Sequence, residues 1–317
     1  MGTALNRIDA LQQKHPWLAF PLAVIKKAGD DQGGNLAALV AYYGFFSLFP
    51  LLLVFTTILG YILAGDPSQQ HSVEQSIRSQ FPSLGNDLPL NHITGSAIAL
   101  VIGLLTSLWA GLGVTGAAQN LMNTVWAVPH KDRPNFIQSK LRGIFLLVAL
   151  GVLFVVSTFV TGAVSSTFGG AGSKVLGYIV SILVNFILFF ASFRLMTDDD
   201  VPTRELRVGA LVGAVLWTIL QAVGAIYLHH IKTTHYGVFA TVIPLLIWLH
   251  LGAQIFMYSA EANVVHSRRL WPRSFFGPPR APADQQARSA LAKVEERSEE
   301  QHVEVEFSPA PPPSERE

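Results

Sequence analysis

Residues 143–164 read GIFLLVALGVLFVVSTFVTGAV, 22 positions without a charged side chain, with Arg142 before them and Lys174 beyond. A helix rises about 1.5 Å per residue, so such a run reaches across roughly 30 Å of hydrocarbon. Inside a bilayer every backbone N–H and C=O must find a partner within the protein, which leaves helices and closed barrels. A barrel would show alternating segments of about ten residues. This run is continuous, so it predicts a membrane-spanning helix. Five further stretches near 36–63, 94–115, 175–196, 207–229 and 238–262 read the same way.

Composition agrees. Half of the 317 residues are hydrophobic and 14% are charged. Soluble domains carry about 25% charge. Mean hydropathy is +0.39. The chain has no cysteine, which excludes disulfides, thiol nucleophiles and thiolate metal sites.

Lys and Arg set the expected orientation. Arg7, Lys14, Lys26 and Lys27 precede the first span; Lys131, Arg133, Lys140 and Arg142 follow the second. Arg194, Arg204 and Arg207 flank the loop after the fourth, and Arg268, Arg269, Arg273 and Arg280 follow the sixth. The alternate loops hold one each: Arg78, Lys174 and Lys232. The expected fold is therefore an all-α polytopic bundle of six transmembrane helices with both termini in the cytoplasm.

Three regions follow. Residues 1–35 form a leader in which Leu5, Ile8, Leu11, Trp17, Leu18, Leu22 and Ile25 mix with basic residues, as in an interfacial amphipathic segment or an ordinary cytoplasmic leader. It lacks a signal-peptide pattern, so the first span is expected to stay in the mature protein. Residues 36–265 form the six-helix domain. Residues 266–317 are basic, then acidic and Pro-rich, and predict a disordered cytoplasmic tail with room for a short helix around 284–300. The loop 64–92 has Val73, Ile77 and Phe81 at helical spacing.

Polar residues inside apolar spans are costly and face the bundle interior. His250, Gln254 and Glu261 sit at i, i+4 and i+11 on one face of the sixth span; Asn185 lies near the middle of the fourth and Gln221 just past the middle of the fifth. They read either as a polar path or as interhelical hydrogen bonding, with Glu261 paired to a base such as Arg142 or Arg207. Pro50 near the centre of the first span removes a backbone donor. It makes a break that shapes a cavity, or a kink that serves packing, with Ser47 near the freed carbonyl. Gly103, Ser107, Gly111 and Thr115, and Gly209 with Gly213, give smooth faces for helix packing or for a homo-oligomer. His229, His230 and His235, the run Asp198–Asp200, and Gly169-Gly170-Ala171-Gly172 lack the companions that a metal or phosphate site needs. No catalytic, cofactor or metal residue is expected.

The stretch from Asn35 through Tyr42 and Ser47 to Pro50 resembles the first-helix signature of the YihY/BrkB family of bacterial inner-membrane proteins. Asn123, Trp126 and Arg133, then Gly209, then Tyr236-Gly237, Trp248, Glu261 and Asn263 resemble further family motifs, together covering about 35–265. The family commonly has Tyr at the position of His250, which makes Glu261 the better carrier of a shared role. The resemblance implies six spans and cytoplasmic termini. It also implies a link to virulence and to envelope lipid transport, and an older ribonuclease label. Short loops without a His/Asp metal cluster do not fit phosphodiester hydrolysis or a nucleic-acid partner. The expected function is transport or export of an envelope lipid or amphiphile. The alternative is a non-transporting envelope assembly protein whose tail binds a partner.

Overall fold

The computed structural model describes residues 15–62, 97–167, 171–197, 201–230, 239–274 and 281–307. Leu5, Ile8 and Leu11, the loop 64–92, Asp198–Asp200, Gly169 and Gly170, His235 and the Tyr236-Gly237 motif lie outside them. The described residues form α1 (Pro16–Asp30), α2 (Gly33–Ile62), α3 (Ala97–Val125), α4 (Phe136–Thr167), α5 (Ala171–Met196), α6 (Arg207–His230), α7 (Phe239–Ser267) and α8 (Pro282–Lys293). No strand occurs among them.

The apolar runs become α2 to α7. Among the described residues, five segments are long and apolar enough to cross a membrane: Gly33–Leu51, Val101–Val125, Ile179–Met196, Thr203–Gly224 and Val242–Arg268. The run 143–164 lies within the 32 residues of α4. Each of these helices packs on the next in sequence, and α7 closes back on α2. α2 stays helical through Pro50. Ser47 donates to the Gly44 carbonyl at 2.8 Å, so it serves its own turn and not the Phe46 carbonyl that Pro50 leaves without a donor.

The small-residue faces are used inside the molecule. A Cβ on Gly209 would stand 2.0 Å from the Ser259 carbonyl oxygen, and one on Gly111 would stand 2.9 Å from Leu147. The buried apolar cluster gathers toward one end of the bundle, where Ala37, Leu121, Val125, Leu146, Phe193, Leu206, Met257 and Ala260 meet. That end also carries α1 and α8, and is called the collar below.

α1 opens with Pro16 at a first-turn position, where its missing N–H costs nothing. Its buried face is Ala19, Ala23, Val24, Lys27 and Ala28, while Trp17 and Ile25 stay exposed. Three corners of the collar use left-handed non-glycine residues: Gln32 (φ 53°) after α1, Ala127 (φ 51°) after α3 and Arg269 (φ 53°) after α7.

Within the tail 266–317, a helix lies close to the short one with room around 284–300. Residues 282–293 form α8, and Ala283 and Asp284 are buried. Large apolar side chains are scarce there, so polar contacts hold it. Lys26 reaches Asp284 at 2.8 Å, and Arg273 reaches Asp284 at 2.9 Å and Asp30 at 2.7 Å. Beyond α8, Lys131 pairs with Glu296 at 2.9 Å and the His130 N–H donates to the Val294 carbonyl at 3.1 Å.

Candidate functional site

Glu261 is fully buried near the collar end of α7. Its partner is neither Arg142 nor Arg207. Arg142 donates to the Thr197 carbonyl at 3.2 Å. Lys27 of α1 faces Glu261 at 3.0 Å and Asp31 at 2.5 Å. It also donates to the Val125 carbonyl at the end of α3, at 2.8 Å. The Lys27–Glu261 contact is ionic and not a directed hydrogen bond. One ammonium thus joins α1, α3 and α7 and faces two carboxyl groups. Burial alone would push the Lys27 ammonium down, but Glu261 and Asp31 outweigh burial and hold it above the ordinary lysine value. Burial raises the Asp31 carboxyl, against the pull of Lys27. Stripping ions of water costs several kcal/mol each, and removing one partner of a buried pair costs about 3–5 kcal/mol.

A second polar group sits two residues further along α7, about half a turn on. Asn263 accepts from the Gly209 N–H at 2.6 Å. Gly209 lies in the first turn of α6, whose backbone donors have no partner within the helix. The α7 side chain satisfies one of them, and only glycine at 209 lets the two backbones come that close. Arg268 donates to the Trp126 carbonyl at 2.7 Å and lies over the Trp126 ring. Arg133 braces the α3–α4 corner through the Asn120 side chain at 3.1 Å and the Val128 carbonyl at 3.2 Å.

The other residues proposed for a polar path are dispersed. Asn185 of α5 is buried and donates to Thr218 of α6 at 3.2 Å. His250 and Gln254 hydrogen-bond to each other along α7 at 3.3 Å. Gln221 is exposed on α6. Pro50 is partly buried in α2. The face shared by His250, Gln254 and Glu261 therefore serves two separate sets of contacts. Among the motif residues, Asn35 hydrogen-bonds to Gln32 at 3.4 Å, Tyr42 is exposed beside Phe46, and Trp248 packs on Gly224. Asn123 is partly buried in α3.

Lys27, Asp31 and the α8 contacts are the residues that sequence reasoning missed. In the charge alternation Lys27 serves only as one of four basic residues ahead of the first span. Its position one turn before the end of an amphipathic stretch, four residues ahead of Asp31, was the available signal. Among the described residues no group of three or more His, Asp and Glu side chains is placed to hold a metal ion.

A cavity of about 390 Å³ opens beside the cluster. Lys27, Asp30 and Asp31 line one side, Ala127, Arg268 and Leu270 another, and α8 residues from Gln286 to Lys293 form its roof.

Known proteins resemble this chain in sequence over most of its length. The chain is 24% identical over 259 residues to the putative ribonuclease-like protein YfkH of Bacillus subtilis, covering 76% of this chain and 93% of that one. It is 26% identical over 272 residues to a UPF0761 membrane protein of Azotobacter vinelandii, covering 77% of this chain and 62% of the relative. The inner membrane protein YhjD of Escherichia coli is 20% identical over 272 residues, covering 78% and 81%. No solved structure matches. The family described as Virulence factor BrkB matches residues 24–283, a range that runs from the middle of the helix carrying Lys27 to the first turn of α8, so this multi-pass inner-membrane protein belongs to the BrkB family.

Proposed function

We propose that the chain crosses the inner membrane six times, with the collar and both termini on the cytoplasmic side, and that it moves an envelope lipid or another amphiphile. The alternation of Lys and Arg between loops supports the topology. The observation that carries the transport reading is the Lys27–Asp31–Glu261 cluster: ionisable groups buried at the end of a membrane helix, beside a cavity. Such groups are expensive to keep and mark substrate or ion pathways. Glu261 is the residue on which coupling would turn. No catalytic step is assigned; the ribonuclease-like name belongs to the Bacillus relative.

The test is movement of dye-labelled phosphatidylglycerol and phosphatidylethanolamine in proteoliposomes, with unfolding temperatures measured alongside. Wild-type protein is expected to exceed protein-free vesicles, and Glu261→Gln to fold and lose most of that excess. Wild type indistinguishable from empty vesicles removes the transport reading. The cysteine-free sequence makes topology directly testable: Ser72→Cys should react with an impermeant maleimide from outside spheroplasts, and Ser298→Cys should not.

A specific observation favours a second reading. Asn185 and the His250–Gln254 pair are satisfied within the bundle, as in a non-transporting assembly protein. Cross-linking that captures an envelope partner and loses it on truncation after residue 307, with no lipid flux, would support it.

A further inference from the structure

We infer that the cavity between α1, the end of α7 and α8 binds a phosphate-bearing anion. The argument starts from the charges in its wall. Four basic residues line it (Lys27, Arg268, Arg288 and Lys293) against two carboxylates, Asp30 and Asp31. Both carboxylates are already engaged: Asp30 by Arg273 at 2.7 Å and Asp31 by Lys27 at 2.5 Å. Glu261 stands behind Lys27 and does not line the cavity. Arg268 donates to a backbone carbonyl, which leaves its charge without a directly paired carboxylate. Arg288 and Lys293, on the roof helix, have no carboxylate within ion-pair distance among the described residues. The wall therefore offers positive charge, part of it the planar guanidinium donors that fit phosphate oxygens.

Size and setting agree. At about 390 Å³ the cavity falls within the range of small-ligand sites. Leu270, Ala287, Ala290 and Leu291 add apolar wall beside the charges, as a glycerol phosphate at the root of an acyl chain would require. Two of the three strained corners adjoin it: Ala127 lines the cavity, and Arg269 follows Arg268. Non-glycine residues held at positive φ gather where the surrounding structure fixes a geometry for a task. Either a lipid headgroup or a free phosphate could supply the group.

The inference deepens the transport reading only in giving that reading a docking point for an anionic amphiphile. The binding test needs no flux. The full chain, purified in neutral detergent, is titrated with dihexanoyl-phosphatidylglycerol, dihexanoyl-phosphatidylcholine and inorganic phosphate. Saturable binding of the phosphatidylglycerol, weakened about tenfold or more in Arg288→Gln/Lys293→Gln, is the expected result. Those two side chains are exposed on α8, so the variant should keep the wild-type unfolding temperature. Competition by inorganic phosphate assigns the site to the phosphate alone, and its failure to compete assigns it to the lipid headgroup. No saturable binding, equal binding of phosphatidylcholine, or unchanged affinity in the double variant overturns the inference. Binding without flux sinks the transport reading alone; flux with no binding sinks this site alone.

Discussion

The collar and the middle of the bundle treat polarity in opposite ways. In the collar, charges are shared among several elements: Lys27 ties α1 to α3 and α7, and Asp284 gathers Lys26, Arg273 and the Ser274 N–H. Mid-bundle, polar groups are satisfied in small local sets, with Asn185 meeting Thr218 and His250 meeting Gln254. A full charge at bilayer depth has no water to fall back on, whereas an amide needs only one neighbouring hydroxyl. The difference places ionic work at one end and leaves the middle to packing.

The largest effect is expected from Lys27→Met, which strands two carboxylates in the collar. Unfolding of the purified protein should show a loss of about 3–5 kcal/mol. Adding Glu261→Gln should restore part of it. A loss under about 1 kcal/mol would mean that water reaches the cluster and that the contrast between the regions is false.

Gly209→Ala comes next. Its methyl would collide with the Ser259 carbonyl, and a loss of about 2–3 kcal/mol is expected from overpacking. Stability at the wild-type level would show that α6 and α7 can separate without penalty.

Acid tests the collar by another route. Burial would raise the Asp284 carboxyl, but Lys26, the Ser274 N–H and Arg273 outweigh it and hold its pKa below the ordinary value. A depressed carboxylate stabilises the fold above its unfolded pKa of about 3.9, and that contribution fades as pH falls through the folded value. Amide protection across 282–293 should therefore persist from neutral pH to about 4 and drop below it. Asp284→Asn should lose part of that protection already at pH 7. Protection indifferent to both would unfasten α8 from this account.

Mid-bundle effects should be smaller. Asn185→Ala is expected to cost about 0.6–1.7 kcal/mol, the range of hydrogen bonds between membrane helices. Gln221→Ala, on an exposed face, should stay within about 0.5 kcal/mol. A large loss at Gln221 would point to a contact with a lipid or a second copy, and would narrow the gap between the two regions.

What the sequence made legible follows from how far each signal travels along the chain. The runs at 143–164 and 175–196 carry their own evidence, because a bilayer filters on length and charge alone. Hence α2 to α7 lie where the apolar stretches are. Glu261 stood out as a carboxylate in a span, yet its partner lies far away in sequence, in α1, and the i+4 carboxylate that marks Lys27 (Asp31) has a counterpart for Lys26 in Asp30. The two point to different sides of α1: Lys26 to Asp284, Lys27 to Glu261. The tail was harder still. Pro282 and Asp284 are ordinary helix-start residues, but α8 stays put because of Lys26, Asp30 and Arg273, which composition could not reveal. The spacing of His250, Gln254 and Glu261 groups them on one face of the sixth span. It did not say that the face changes neighbours between Gln254 and Glu261.

The Lys26–Asp284 pair joins the beginning of the chain to its end. It has a consequence in time. A ribosome makes α1 before α7 and α8, so Lys27 waits for Glu261, and Lys26 for Asp284, until the helices between them have been made. The helices of the ring can enter the membrane one after another, but the collar must wait until the last of them has emerged. Non-local contacts of this kind close late. The collar is thus a seal set at the end of assembly, and a chain that stops short of residue 284 would leave the bundle unfastened at the end where its charges lie.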